Sequence, residues 1–525
     1  MDRIQLTRLS ATNLAQLIAR GDFSALEVTE AAIARIEEVN PRVNAVVVKR
    51  YDQARADARA IDARRARGEA LPPLAGVPVT IKECLDLAGT PSTFGLKWRA
   101  AIKAEQDETH VARLRAAGAV VLGKTNVAQL LAFIESDNAV YGRTDNPWKA
   151  DRTCGGSSGG EAAIIAAGAA SLGLGTDIGG SVRYPANFCG IASIKPTAGR
   201  CDDMGRFSFP IGQRTITSQV GVLARHVDDV ALGLEIINGG GDPAMQPSRP
   251  LGDSRAVDVT RLRVGFYLDD GIFPSSPAVR RAVREAASAL ASAGATVVPF
   301  QPYRPAEALH LFFALMGGDR LRSMKDILRG EAAHPSLKPL FFLAGRSPLT
   351  LALLRALLGV AGQATLAQAT RLFDHYTVKD YFQATEQAID FRRAHLRAMD
   401  TVQGGPLELI LGPACALPAF RHGTTKDLGL AGTNTIQYNL LGYPAGVVPV
   451  TRVRAGEEAD RVPSRDVIEK LARECDIGSA GLPVCVQIAA RPWQDHLALA
   501  AMRVVEQAAR KTSDYPAAPA ISDMP

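Results

Sequence analysis

Cys154-Gly155-Gly156-Ser157-Ser158-Gly159-Gly160 and Gly175-Thr176-Asp177-Ile178-Gly179-Gly180-Ser181-Val182-Arg183-Tyr184-Pro185-Ala186 are two serine-bearing glycine clusters inside the stretch from Tyr141 to Arg200. Both read as tight backbone turns. Between them Ala162 to Ala170 is nearly all Ala, Ile and Gly, the composition of a buried helix packed closely on its neighbours, and Leu172 to Thr176 reads as a short core strand. Each glycine loop therefore sits at the end of a buried element, and the stretch alternates helix and strand.

Glycines that end in serine allow backbone conformations closed to other residues and bring N–H groups close to a ligand. Fixed N–H donors from Ile178, Gly179, Gly180 and Ser181 suit an oxyanion hole, meeting the charge that builds on a carbonyl oxygen during attack. Ser181 is then the candidate nucleophile. A serine hydroxyl needs a base within hydrogen-bond reach, and no histidine lies nearby in sequence. Upstream, Gly76-Val77-Pro78-Val79-Thr80-Ile81-Lys82-Glu83 reads as a strand whose alternation puts Thr80 and Lys82 on one face. A lysine at the end of such a strand is a candidate base if burial favours its neutral amine, although a lone lysine is most often a solvated surface group.

Three motifs, GVPVTIK ending at Lys82, the cluster Gly155 to Gly160, and GTDIGGSVRYPA followed by Gly190 and Lys195-Pro196-Thr197, together resemble the amidase signature family. The resemblance runs from about Pro73 to Arg510. It implies a twisted mixed β-sheet with helices on both faces, an α/β fold, and hydrolysis of carboxylic amide bonds. The implied triad is Ser181 as nucleophile, Ser157 on a cis Gly156–Ser157 peptide as proton relay, and Lys82 as base. Ser158, Asp177 and Arg183 are implied to brace the loops, with the Leu131 backbone near the substrate oxygen. No metal or organic cofactor is implied; the partner is a small-molecule amide, and a homodimer is left open. Within the family, Leu262 to Tyr267, Tyr443 to Val450 and Gly481 to Gln487 look most like the fatty-acid amide hydrolases.

Composition narrows the alternatives. At 525 residues and 47% hydrophobic content the chain can bury a large core, and length alone would argue for three or four domains. The resemblance replaces that with an N-terminal helical segment, 1–70, and a catalytic domain, 71–515. A net charge of only +6 without a long basic run gives no sign of nucleic-acid binding. The seven cysteines are scattered without a C-x-x-C pair, which argues against a disulfide framework or zinc and for a reducing cytoplasm. The histidines are too dispersed for a metal pair, and Glu161 stands where a phosphate loop needs Lys-Ser or Lys-Thr.

The start of the chain has no apolar run of signal-peptide type. Residues 11 to 38 read as two surface helices broken near Gly21, and 262 to 300 as strand, helix and strand with Ser276 as N-cap. Asn238 to Asp253 reads as a loop, Ala455 to Arg465 as an exposed insertion, and the uncharged run Ala431 to Thr451 as a buried strand-turn region. Residues 335 to 360 are rich in Leu and Phe, with Pro339, Arg346, Pro348 and Arg355 expected to break them into short pieces. Periodicity alone cannot separate a buried helix there from one lying at a membrane interface. The segment falls where fatty-acid amide hydrolases carry a membrane-docking cap, so 335–372 is expected to be an apolar cap. That favours peripheral lipid contact and amides with a long or bulky apolar acyl group. A general small-amide or aryl-amide amidase, the A subunit of a tRNA-dependent amidotransferase, and a catalytically silent binding protein are the other readings.

Overall fold

The computed structural model describes residues 3–202, 212–240, 248–373, 377–458 and 460–521, and in it the apolar runs gather into one 11-stranded sheet. Its strands are β1 (Val46–Lys49), β2 (Pro78–Lys82), β3 (Val120–Thr125), β4 (Leu172–Asp177), β5 (Ala192–Lys195), β6 (Gln219–Ala224), β7 (Arg263–Phe266), β8 (Thr296–Pro299), β9 (Leu409–Pro413), β10 (Ala445–Arg452) and β11 (Pro483–Ala490). They lie side by side in the order β1-β3-β2-β4-β6-β5-β10-β11-β9-β7-β8. Pairing is parallel for β2 with β3 and β4, and for β7 with β8 and β9; the other pairs are antiparallel. The expected mixed sheet of the α/β class is therefore present. Most strands are buried along their whole length, as in a sheet covered on both faces.

Helices cover it. At the N-terminus α1 (Ala11–Arg20) starts where the Ser10 side chain accepts from Asn13 N and stops at Gly21, whose φ of 82° is left-handed. A capping box formed by Ser24 and Glu27 opens α2 (Ala25–Val43). The break near Gly21 is thus where the residues demand it, and 46–49, inside the segment expected to be helical, pairs with β3 as a strand. Between the two glycine clusters, α3 (Gly159–Ala166) is buried at every residue. Its small residues let it approach closely: a Cβ at Gly160 would lie 2.4 Å from Asn126 N. After the second cluster comes α4 (Arg183–Cys189), also wholly buried.

The strand, helix and strand expected over 262 to 300 are β7, α5 (Pro277–Ser292) and β8. Ser276 holds the N-cap position, but its hydroxyl donates to Asp476 Oδ1 at 2.5 Å instead of capping. Farther on lie α6 (Pro305–Met316), α7 (Lys338–Ala344) and α8 (Pro348–Val360), the last two bent by 116°. The expected fragmentation of 335–360 is only partly found. Pro339 and Pro348 sit in first turns, where proline is tolerated, and Arg355 lies inside α8. In 431–451 the buried strand β10 is present, but the preceding part is a helix, α9 (Thr433–Leu441), closed by left-handed Gly442. The polar side chains that argued for a turn are buried on it. Part of the expected 238–253 loop and residue 459 of the expected insertion lie outside the described residues.

Candidate active site

Parallel pairing of β2 with β4 brings their carboxyl ends together, with Ile81 opposite Leu174, so Lys82 emerges beside Thr176. That is where open α/β sheets collect their sites. Lys82 is fully buried, and its Nζ donates to Ser157 Oγ at 2.8 Å, to Thr176 Oγ1 at 2.9 Å and to the Thr176 carbonyl at 3.3 Å. Ser157 is held by the turn before α3, where the Gly156–Ser157 peptide is cis. Glycine is required at 156, because a Cβ would come within 2.5 Å of both Glu135 N and Phe133 O.

The second cluster turns around a buried ion pair. Asp177 Oδ1 accepts from Arg183 Nη2 at 2.9 Å and Oδ2 from Arg183 Nε at 3.0 Å, with both side chains fully buried. The same carboxylate takes the N–H of Gly180 at 2.8 Å, that of Val182 at 3.1 Å, and Asn439 Nδ2 at 2.9 Å. Burial alone would raise the Asp177 pKa; the charge and hydrogen bonds of Arg183, with Asn439, overcome this and hold the carboxyl well below the usual range. Arg183 also donates to the Thr435 carbonyl, Gln487 Oε1 and Asn439 Oδ1. Asp177 and Arg183 thus brace the loop.

One expected donor is corrected. The Gly180 N–H is committed to Asp177, because Gly180 at φ 118° turns inward, so the candidate oxyanion donors narrow to Ile178, Gly179 and Ser181. These three line one cavity with Ser157 and Thr176. The Ser181 hydroxyl has no hydrogen-bond partner among the described residues, and the two glycine clusters are linked through the backbone, from Ser158 N–H to the Ser181 carbonyl at 3.1 Å. Ser158 therefore braces through its backbone, while its buried Oγ makes no hydrogen bond. Leu131 lies on the cavity wall in a left-handed conformation with its N–H donated to Ala128 O.

The cavity is about 360 Å³ and mostly apolar, walled by side chains such as Phe312, Phe313, Met316, Leu343 and Phe373. Its lining also includes Thr425, Lys426 and Leu430. That loop is pinned by His422, whose Nδ1 bonds Glu135 at 2.6 Å and whose Nε2 faces the Ala150 carbonyl at 3.0 Å and Asp145 at 3.2 Å. Burial lowers the His422 pKa, but Asp145 and Glu135 more than reverse it, to about 9. Both ring nitrogens meet acceptors, which suits the imidazolium. Glu135 in turn packs its backbone on Gly156.

Sequence reasoning singled out neither Thr176 nor the clamp of His422 and Glu135. Thr176 was within reach, standing in the quoted motif on the strand next to Lys82. The clamp was not, because its partners are 287 residues apart. Among the described residues no group of three or more His, Cys, Asp or Glu is arranged to hold a metal.

The amidase family model matches residues 27–499. The chain is 34% identical to fatty-acid amide hydrolase 1 of Sus scrofa, covering 97% of this chain and 87% of the relative. It is 36% identical to the A subunit of the glutamyl-tRNA(Gln) amidotransferase of Roseiflexus castenholzii, covering 85% and 89%. A solved fatty acid amide hydrolase superposes with a TM-score of 0.79 at 24% identity, covering 96% of this chain and 86% of that one, a likeness of fold. With a family model spanning most of its length and relatives above 30% identity over nearly all of it, this chain belongs to the amidase signature family, and it is a hydrolase of amide C–N bonds.

Proposed function

We propose that the chain cleaves amides with a long or bulky apolar acyl group through Ser181, Ser157 and Lys82. The observation that carries the reading is the buried hydrogen bond between Lys82 and Ser157 at the floor of an apolar cavity that Ser181 also lines. In the neutral amine form Lys82 takes the Ser157 proton while Ser157 takes that of Ser181, and Ser181 Oγ attacks the carbonyl carbon. The proton on Lys82 returns through Ser157 to the departing nitrogen as the C–N bond breaks. Water then hydrolyses the ester of Ser181. The N–H groups of Ile178, Gly179 and Ser181 are the candidate partners of the oxyanion.

The acyl preference rests on the wall of the cavity, where aromatic and aliphatic side chains supply most of the exposed surface. A second support is α7, which contributes Leu340 and Leu343 to that wall, and α8 beside it. On α8 only Leu351 is buried, while Leu349, Leu353, Leu357 and Val360 are 81%, 61%, 60% and 91% exposed. Among the described residues no single helix is long and apolar enough to cross a membrane. An apolar face of this size next to the cavity suits peripheral lipid contact. The relatives named fatty-acid amide hydrolase support the acyl preference.

Similarity to the A chains of amidotransferases favours one other reading, release of ammonia from glutamine within a larger assembly. Arg214, Lys426 and Asp427, which also line the cavity, are the kind of groups a zwitterionic amino acid would need, so the choice rests on the substrate panel. A panel of amides from acetyl to long-chain acyl, followed by mass detection with and without liposomes, decides between them. The proposal expects kcat/KM to rise with acyl length in the isolated chain, and Leu353, Leu354 and Leu357 changed to Ser to weaken liposome binding while sparing a short soluble amide. Preference for acetamide-sized substrates with no liposome binding would overturn it.

A further inference from the structure

Glu161 is fully buried in the first turn of α3, four positions after Ser157, and does not line the cavity. A niche made by three adjacent strands receives its carboxyl. Thr80 of β2 donates to Oε1, and Thr125 of β3 donates to Oε2 at 2.6 Å. On β4 residue 173 is glycine, and a Cβ there would lie 1.7 Å from Glu161 Oε1. Thr80 and Lys82 share one face of β2 by alternation, so this carboxyl and the Lys82 amine occupy the same buried layer. Both side chains are fully buried there.

We propose that Glu161 is a positioning residue for the amidase reaction: its carboxylate stabilises the ammonium that Lys82 becomes when Ser181 is deprotonated, without touching substrate. The inference rests on Lys82 being the base. Proton transfer through Ser157 turns a neutral amine into a cation inside the dry layer, which is costly without an opposite charge. Two threonine hydroxyls keep the carboxylate hydrogen-bonded, and the charge acting on it is that of Lys82. Burial raises its pKa to about 7 against the hydroxyls and Lys82, so its charge changes within the working range of a lysine-dependent hydrolase. A strap tying α3 to β2 and β3 would need the same hydroxyls but not the charge.

The test is the rate of Ser181 modification by a fluorophosphonate, measured from pH 5 to 10 for the full chain and for Glu161→Gln, Thr125→Val and Lys82→Ala. Glutamine keeps size and hydrogen bonding and removes the charge. With the ammonium less favoured, the half-rise of the Glu161→Gln curve is expected about one pH unit lower, with a plateau about tenfold lower because the amine is a weaker base. Thr125→Val, which removes one donor from the carboxylate and keeps it protonated to higher pH, is expected to shift the curve the same way by less. A Glu161→Gln curve that scales onto the unchanged chain's at every pH overturns the inference and leaves only a strap. Should Glu161→Gln fail to fold, an unshifted Thr125→Val curve overturns it equally. If Lys82→Ala reacts at the full rate, the assignment of the base fails first; if it is inert and the Glu161→Gln curve is unshifted, only the role of Glu161 fails.

Discussion

Changing Asp177 to Asn keeps the shape of the side chain and removes the charge on which the second glycine loop turns. The carboxylate accepts five hydrogen bonds: Gly180 N–H, Arg183 Nη2 and Asn439 Nδ2 on Oδ1, and Val182 N–H and Arg183 Nε on Oδ2. Asparagine can leave its oxygen on only one side, so its NH₂ must face at least two donors, each stranded at a cost of about 1–3 kcal/mol. The larger effect is Arg183, left as a buried cation without its anion, and breaking such a pair costs about 3–5 kcal/mol. The two are not additive, because both describe the same rearrangement, so a loss of about 4 kcal/mol is expected. Urea unfolding followed by tryptophan fluorescence measures it as a lower midpoint at constant slope. The Gly179 and Ser181 N–H groups lose their frame in the same step, so fluorophosphonate labelling should slow at least a hundredfold. A loss under about 1 kcal/mol, or labelling within twofold, would refute the view that this ion pair shapes the loop.

Thr176→Val removes the hydroxyl that shares Lys82 with Ser157, an interaction to a charged group in the reacting state. A loss of about 1.5–3 kcal/mol slows labelling roughly 10- to 100-fold at little cost to folding, and an unchanged rate would contradict its role. His422→Gln tests the clamp on the cavity wall through pH. The folded His422 value of about 9 stands above the unfolded value of about 6.5, so its stabilisation is full below pH 6.5 and is lost as pH rises through 9. Unfolding free energy of the unchanged chain should therefore fall by about 2–3 kcal/mol more than that of the variant between pH 6 and pH 10. Parallel curves would mean that His422 is not held as a cation.

What the chain displays locally, it displays well. The glycine clusters, the break at Gly21 and the alternation that faces Lys82 with Thr80 are all short-range, and each became the element that its residues demand. Long-range hydrogen bonding left no such trace. Arg183 reaches Gln487, 304 residues away, and Asn439, 256 away. Asn439 lies on α9, where the sequence suggests strand and turn because its polar residues and the following prolines look unsuited to a membrane span. Two of those residues bond the second glycine loop: Thr435 Oγ1 donates to the Gly179 carbonyl and Asn439 to Asp177. The expectation for Gly180 failed for a related reason: nothing in a run of glycines reveals which N–H a neighbouring carboxylate will take.

The central claim is that Ser181, activated through Ser157 by Lys82, is the nucleophile. Incubation with a fluorophosphonate followed by peptide mapping of the adduct tests it most directly, run beside Ser181→Ala and Lys82→Ala. The account predicts one adduct per chain, carried by Ser181, absent from Ser181→Ala and formed orders of magnitude more slowly in Lys82→Ala. An adduct on Ser157, or equal labelling of Ser181→Ala, would contradict it.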